Sequence, residues 1–250
     1  MGEGTYLYCI IGTDEARNFG ANGIGGRNDT VTTLSYDGIS AVISRSPLAE
    51  YPLTRDNLLA HQLVIEGVME DYTVLPVRFS TIAESAEDIR SVLRKRCAEF
   101  KGLLRDMEGH VELGLKAMWK DLPAVFSDIA GTDTRIKRLK ERLDDKAAGK
   151  VYNEKIELGR LVEAALGEKK RNESERILSS TRPLAVDIRE NRLHGDNMIL
   201  NAAFLVREAR IKEFDRAVKE IDAGYGGGVK LKYVGPVPPF NFVNIIIEWK

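Results

Sequence analysis

The stretch Tyr6-Leu7-Tyr8-Cys9-Ile10-Ile11 predicts a buried β-strand close to the start of the chain. It is a continuous apolar run with aromatic and β-branched residues, which is typical of a strand that is covered on both faces. We expect this strand to lie inside a sheet, with the segments that follow forming the rest of that sheet and the helices that cover it.

The next segments predict a hairpin and two helices. Residues 31–34 and 39–43 are apolar runs separated by a short turn, so we expect them to pair. Thr54 is placed to cap one helix, and Ser85 with Asp88 three residues later forms a capping box for a second helix.

A further extended segment, Val74-Leu75-Pro76-Val77-Arg78-Phe79, lies between these helices. Pro76 has no N–H to donate, so this segment must lie at a sheet edge or at a bulge. Residues 111–119 predict one more strand. We therefore expect residues 1–119 to form an α+β domain in which two helices cover one sheet.

Residues 131–182 differ in composition from the rest of the chain. They carry 24 charged side chains in 52 positions, or 46%, against 26% elsewhere. Apolar residues recur at three-and-four spacing on both sides of a break near Gly149, which predicts a charged helical hairpin over about 134–182 with a coiled-coil seam. Because residues 167–176 contain no apolar side chain, we expect that part to be solvated or frayed.

The α/β pattern then resumes to the end of the chain. We expect a strand at 197–206, a helix that ends at Gly224, a strand at 229–233 and a final strand at 243–249. This strand-helix-strand-strand unit, over 196–250, completes a predicted C-terminal domain at 120–250. The predicted fold class is thus α+β with two domains.

Composition and charge exclude several classes of function. The 250 residues include 37 basic and 38 acidic side chains, so no net positive field favours nucleic acid or an anionic membrane as a partner. Cys9 and Cys97, the two cysteines, lie in apolar patterns and fit a reducing compartment. We see no signal-peptide pattern and no apolar stretch near about 20 residues, so we expect a soluble cytoplasmic protein.

Catalytic and cofactor motifs do not occur. His61, His110 and His194 have no partner at metal-ligand spacing, and no HExxH, CxxC or nucleophile-elbow pattern is found. His61 lies on an apolar helix stripe, as core histidines do, and the glycines at 20–26 are followed by a hairpin and not by a phosphate-binding helix. We expect no metal, no cofactor and no enzymatic activity.

Candidate partner-binding residues lie at two places. Arg78 follows the edge-strand proline and could bind a carboxylate or a phosphate, although a structural ion pair is the commoner role for such an arginine. The other place is a proline-rich corner near the C-terminus, which offers a possible anchor patch for another protein. The corner residues are Pro236, Val237, Pro238, Pro239 and Phe240.

Several blocks of sequence occur in the order found in one known family. They are Tyr6-Leu7-Tyr8, His61, Val74-Leu75-Pro76-Val77-Arg78-Phe79, Glu112-Leu113-Gly114-Leu115-Lys116, Ala202-Ala203-Phe204-Leu205-Val206 and Gly235-Pro236-Val237-Pro238-Pro239-Phe240-Asn241-Phe242-Val243. Together they span nearly the whole chain, and they resemble the gas vesicle accessory proteins F and L (GvpF/GvpL). Ser80 stands where the family often has Gly, and Val237 and Phe240 stand where Trp and Tyr are expected.

The resemblance implies a minor structural or assembly protein of the gas vesicle, an intracellular shell that gives cells buoyancy. The implied partners are the major shell protein GvpA and other gas vesicle accessory proteins, and the implied location is the gas vesicle. It also implies an N-terminal modified ferredoxin-like domain and a C-terminal domain with coiled-coil character.

Several modes of action stay open from the sequence. The Pro76 segment or the last hairpin could pair with a partner strand or make apolar contacts, and the charged hairpin is a second candidate surface that could also self-associate. One alternative function is a small-molecule-binding regulatory module with a ferredoxin-like fold. Another is an enzyme that uses His61 and Arg78, which requires both side chains to meet in one water-accessible cleft.

Overall fold

The computed structural model describes residues 2–144, 152–247 and Trp249. The chain divides into two compact units, one formed by the part up to Glu112 together with the segment from Gly235 onward, the other by Leu113–Val234. The C-terminal segment thus belongs to the same unit as the N-terminal half, whereas the sequence analysis assigned all of 120–250 to one domain. The predicted break near Gly149 lies outside the described residues.

The first unit contains a five-stranded antiparallel sheet and two long helices. Its elements are β1 (Glu3–Ile11), β2 (Thr32–Tyr36), β3 (Ile39–Pro47), α1 (Arg55–Met69), β4 (Val74–Pro76), β5 (Ile82–Ala83) and α2 (Ala86–Met107). The strand order is β2-β3-β1-β4, and β5 also pairs with β1. The predicted buried strand is therefore confirmed as the central one, and Pro76 lies in the edge strand β4, as expected.

The two helices cover opposite faces of this sheet. Leu7 and Ile10 of β1 pack in one core cluster with residues of α2, whereas Tyr6 and Tyr8 pack in a second cluster with residues of α1. This alternation is the two-residue period of a strand. It is interrupted by a bulge between Leu7 and Cys9, beyond which Cys9 faces the α1 side.

The predicted helix starts of the first unit are confirmed. The Thr54 side chain accepts a hydrogen bond from the Asn57 N–H at the start of α1. The Ser85 side chain accepts from the Asp88 N–H at the start of α2, and the Asp88 carboxylate accepts from the Ser85 N–H. Each cap satisfies N–H groups that the first helical turn leaves without a partner.

In its described residues, the second unit contains a four-stranded sheet and four α-helices. Its elements are β6 (His110–Trp119, which begins in the first unit), α3 (Leu122–Thr132), α4 (Thr134–Asp144), α5 (Tyr152–Thr181), β7 (Asp187–Glu190), β8 (Met198–Arg207), α6 (Ile211–Gly224) and β9 (Val229–Val237, which ends in the first unit). The strand order of the sheet is β7-β8-β6-β9. Strand β8 is buried over nine consecutive residues, which explains its continuous apolar sequence. The fold class is thus α+β, as predicted.

The charged segment differs from the prediction in two respects. The helix α3 precedes the expected pair, with Asp121 as its N-cap and a proline in its first turn. Helix α5 is continuous over thirty residues, and no residue of 167–176 is buried, so of the two alternatives the solvated helix agrees with the structure and fraying is wrong. Leu166 lies near the middle of α5 and Ile177 near its end, and both are buried, so tertiary packing holds the charged stretch between them in the helix.

The predicted final strand is also wrong for the described residues. Segment 238–247 contains no strand, and Ile245 forms an isolated parallel bridge with Val77. Val243 and Ile245 are nevertheless buried in the core cluster on the α2 side. The alternating apolar residues therefore anchor an irregular segment instead of forming a ladder.

Candidate interaction site

Arg78 lies directly after the edge strand β4, beside the C-terminal segment. The Arg78 N–H donates to the carbonyl of Ile245 at 3.4 Å, and Val77 bridges to the same residue. The edge that follows Pro76 is therefore already occupied by the chain itself. Strand addition by a partner at this point, one of the modes expected from the sequence, would first have to displace Ile245.

The Arg78 side chain is exposed in a groove of the first unit that is lined by both apolar and polar residues. Two adjoining cavities of about 610 and 850 Å³ share five lining residues, and Arg78 lines the first of them. The shared residues are Leu48, Ile82, Ile246, Ile247 and Trp249. We call the two cavities together the Arg78 groove.

Several aliphatic side chains of the Arg78 groove are exposed. Leu48 is 44% exposed and Ile246 is 48% exposed, and Leu53, at the rim, is more exposed still. Within the part of the chain that the structure describes, the Arg78 guanidinium makes no ion pair. The expectation of a structural ion pair for Arg78 is thus not met by any described residue.

The groove depends on two segments that are far apart in sequence. The loop that follows β3 supplies Leu48 and Tyr51, and the Tyr51 N–H donates to the Ser80 hydroxyl at 2.9 Å, which fixes the loop beside Arg78. The C-terminal segment supplies Ile246. Sequence reasoning missed the loop, in which a leucine directly follows each of two prolines, Pro47 and Pro52, because their exposure is visible only in the structure.

The proline-rich corner is divided between core and surface. Pro238 and Pro239 are buried, Val237 is half-buried, and Pro236 and Phe240 are exposed. The buried prolines lie in a tight turn in which the Phe240 N–H donates to the Pro238 carbonyl. Of the predicted corner residues, only the exposed ones have surface to offer a partner.

A buried carboxylate holds the segment that follows this corner. Glu112 is 4% exposed, and its carboxylate accepts hydrogen bonds from the main-chain N–H and the side-chain amide of Asn241. Burial raises the pKa of Glu112, and the two hydrogen bonds from Asn241 oppose that shift. The pair fixes the start of the C-terminal segment in the first unit.

His61 belongs to the core of the first unit. Its Nδ1 lies 3.0 Å from the Tyr6 hydroxyl, which also accepts a hydrogen bond from the Ser80 N–H. Burial lowers the pKa of His61 to about 4, although a hydrogen bond to the backbone of Val77 opposes the shift. The expectation of a hydrogen-bonded core histidine is confirmed.

The geometry required for the enzyme alternative is not present. His61 is buried, whereas the Arg78 side chain is exposed, so they do not meet in a water-accessible cleft. Among residues 2–144, 152–247 and 249, no group of three or more His, Cys, Asp or Glu side chains is placed to hold a metal ion. Over the same ranges, no helix has the length and apolar character needed to cross a bilayer.

Comparison with known proteins agrees with the fold. The family model described as "Gas vesicle synthesis protein GvpL/GvpF" matches residues 4–244. The chain is 28% identical to gas vesicle protein F1 of Halobacterium salinarum, over 99% of this chain and 96% of that protein. It is 25% identical to gas vesicle protein F of Nostoc sp., over 98% of this chain and 100% of that protein.

Two solved structures share the architecture. The crystal structure of gas vesicle protein GvpF from Anabaena sp. superposes with a TM-score of 0.84 at 24% identity, covering 98% of this chain and 100% of that chain. GvpF from Microcystis aeruginosa gives a TM-score of 0.80 at 24% identity, over 97% and 99% of the two chains. Because the family match spans almost the whole chain, the protein belongs to the gas vesicle synthesis protein family GvpL/GvpF.

Proposed function

We propose that this gas vesicle protein is a non-catalytic accessory component that binds the major shell protein GvpA during formation of the vesicle inside the cell. The observation that carries the proposal is the Arg78 groove, where exposed aliphatic side chains adjoin an arginine without an ion-pair partner among the described residues. An assembly factor for an apolar shell subunit needs such a surface, because it must shield that subunit from aggregation.

The groove defines what its occupant must present. Leu48 and Ile246 are each about half exposed, so covering the rest of each side chain contributes roughly 0.7–1.5 kcal/mol, and the occupant supplies apolar side chains opposite them. The guanidinium of Arg78 favours a carboxylate at the end of that apolar stretch. Contact through side chains replaces strand addition here, because Ile245 already occupies the adjoining edge.

The proline-rich corner is proposed as a smaller, additional contact. Pro236 and Phe240 are exposed there, and Phe240 offers an aromatic anchor of the kind that dominates many interfaces. Pro238 and Pro239 support the corner from the core. A charge at Phe240 should therefore weaken GvpA binding less than a charge in the groove.

Co-purification of GvpA with the tagged full-length chain tests the proposal. We expect the wild type to retain GvpA, and the double substitution Leu48→Asp with Ile246→Asp to lose it. Leu193→Asp with Val186→Asp is the matched control, since these residues are exposed and aliphatic but lie in the second unit. For the charge, Arg78→Glu is compared with Arg216→Glu, an exposed arginine of α6.

The results of this experiment test the groove as the contact and GvpA as the partner separately. Loss of GvpA in the groove variants, with retention in both controls and unchanged urea unfolding, supports the proposal. Equal retention by groove and control variants would contradict the groove as the contact. Failure of the folded wild type to retain any GvpA would contradict the proposed partner itself.

A further inference from the structure

Helix α1 carries a second apolar surface that the proposed shell contact does not use. Leu59 is 46% exposed and Leu63 is 53% exposed, whereas the opposite side of α1, including Val64 and Ile65, is buried against the sheet. The two leucines are four residues apart, so they lie next to each other on the water-facing side of the helix. Gly67 continues this line one turn further, with open space around it.

The spacing along this side is that of a helix-packing seam. Asp56, Leu59, Leu63, Glu66 and Glu70 follow one another at intervals of three, four, three and four residues. Such a repeat brings every member to one stripe that a second helix can follow. The second and third positions are leucines and the other three are acidic, with Glu70 at the C-cap of α1, and we call these five residues the α1 seam.

The acidic residues of the α1 seam favour a basic partner. Asp56, Glu66 and Glu70 form no ion pair with any described residue, although Glu66 accepts a hydrogen bond from Gln62. Arg55 is the one basic residue of α1. A partner helix with lysine or arginine beside its apolar stripe therefore complements the seam in both apolar surface and charge.

The same charges exclude a second copy of this chain as the occupant. In an antiparallel pair of α1 helices related by a two-fold axis, Asp56 of one copy would face Glu70 of the other, and like charges would repel. The basic helix α4 is not available either, because its apolar residues Ile136 and Leu139 are buried.

We propose that the α1 seam binds a basic amphipathic helix of another protein, with the partner's apolar side chains packed on Leu59 and Leu63 and its basic side chains opposite Asp56, Glu66 and Glu70. This contact is independent of the Arg78 groove. It gives the chain a second binding surface, suited to joining two proteins of one assembly.

A synthetic helical peptide tests the proposal on the purified full-length chain. The probe is a fluorescein-labelled peptide of three heptads with leucine at positions a and d and lysine at e and g. The matched probe has glutamate at e and g. We expect the lysine peptide to bind the wild type at least tenfold more tightly than the glutamate peptide in fluorescence anisotropy.

Two sets of variants assign the binding to the seam. Leu59→Asn with Leu63→Asn should weaken binding of the lysine peptide about tenfold, and Glu66→Lys with Glu70→Lys should reverse the preference toward the glutamate peptide. The matched charge control is Glu157→Lys with Glu163→Lys on the exposed side of α5, and the apolar control is Leu193→Asn.

The results distinguish the alternatives. If the controls bind like the wild type while both seam variants change as described, the proposal holds. Absent binding by the wild type, equal binding of the two peptides, or equal effects of seam and control variants would overturn it. Should the leucine variant fail to fold, as measured by urea unfolding, the charge reversal alone decides, because it leaves the buried side of α1 untouched.

Discussion

The hydroxyl of Tyr6 lies 3.0 Å from Nδ1 of His61, and this bond joins the central strand β1 to helix α1 in the core of the first unit. The same hydroxyl accepts a hydrogen bond from the Ser80 N–H, so one oxygen contacts both the histidine ring and the main chain at Ser80. A second tyrosine, Tyr8, lies on the same face and bonds to the Ser44 hydroxyl at 2.9 Å. A buried polar network thus connects the sheet, α1 and the segment that follows Arg78.

Tyr6→Phe should destabilise the first unit. The substitution removes one oxygen and leaves the buried His61 Nδ1 and the half-buried Ser80 N–H without this partner, which costs about 1–3 kcal/mol. Urea unfolding followed by circular dichroism measures the change. Tyr72→Phe is the control, since no hydrogen bond of the Tyr72 hydroxyl to a described residue is found; an equal loss in both variants would refute the role of the network.

The protein should become less stable as the pH decreases, because His61 titrates. Burial lowers the pKa of His61 from 6.5 to about 4, so the unfolded chain takes up the proton first as the pH falls. The stabilisation is fully present above about pH 6.5 and is lost progressively toward pH 4, by roughly 3 kcal/mol at most.

His61→Leu isolates this contribution. The variant cannot titrate at position 61, so the difference in unfolding free energy between wild type and variant should shrink between pH 7.5 and pH 4.5. Urea unfolding at both pH values measures it. A difference that is the same at the two pH values would show that His61 does not carry the pH dependence.

Gly4→Ala should disturb the wall of the Arg78 groove. A Cβ at Gly4 would lie 2.7 Å from the Ala83 carbonyl oxygen and 3.0 Å from Leu48 Cδ1, so β1 and β5 would have to separate. Such crowding costs about 1–3 kcal/mol. Gly2→Ala is the matched control, because nothing lies within 4 Å of its Cβ position. Thermal melting of the two variants gives the comparison, and equal melting temperatures would contradict the close approach at Gly4.

Asn241→Asp should loosen the C-terminal segment. The substitution sets a second carboxylate against that of Glu112, which is buried and accepts both hydrogen bonds from Asn241. We expect a loss of about 1–3 kcal/mol at pH 7.5 and a smaller loss near pH 5, where one of the two carboxylates can hold a proton. Urea unfolding at both pH values tests it. Asn241→Ser, which adds no charge, should show no such recovery at low pH.

The elements that sequence predicts well are those set by local chemistry. Thr54 and Ser85 mark helix starts because their side chains satisfy N–H groups within three residues, and Pro76 marks an edge because it has no N–H. The run from Tyr6 to Ile11 predicts a central strand because a strand with this continuous apolar sequence must have both faces covered to bury all of its side chains.

The elements that sequence does not predict depend on distant partners. The alternating residues Val243 and Ile245 indicate a strand, but they fill the core of the first unit beside α2 without forming a ladder. The groove likewise requires the loop at Leu48 and the segment at Ile246 to meet, although they are nearly 200 residues apart. No local sequence pattern indicates that these two segments pack together.

The most direct test of the central claim is vesicle formation in a gas-vesicle-producing cell whose own copy of this gene has been deleted. Flotation measures the yield after complementation with the wild type, with Leu48→Asp plus Ile246→Asp, or with the control Leu193→Asp plus Val186→Asp. We expect the wild type and the control to restore floating vesicles and the groove variant, present at equal level, to fail to do so. Full restoration by the groove variant would contradict a role of the Arg78 groove in vesicle formation.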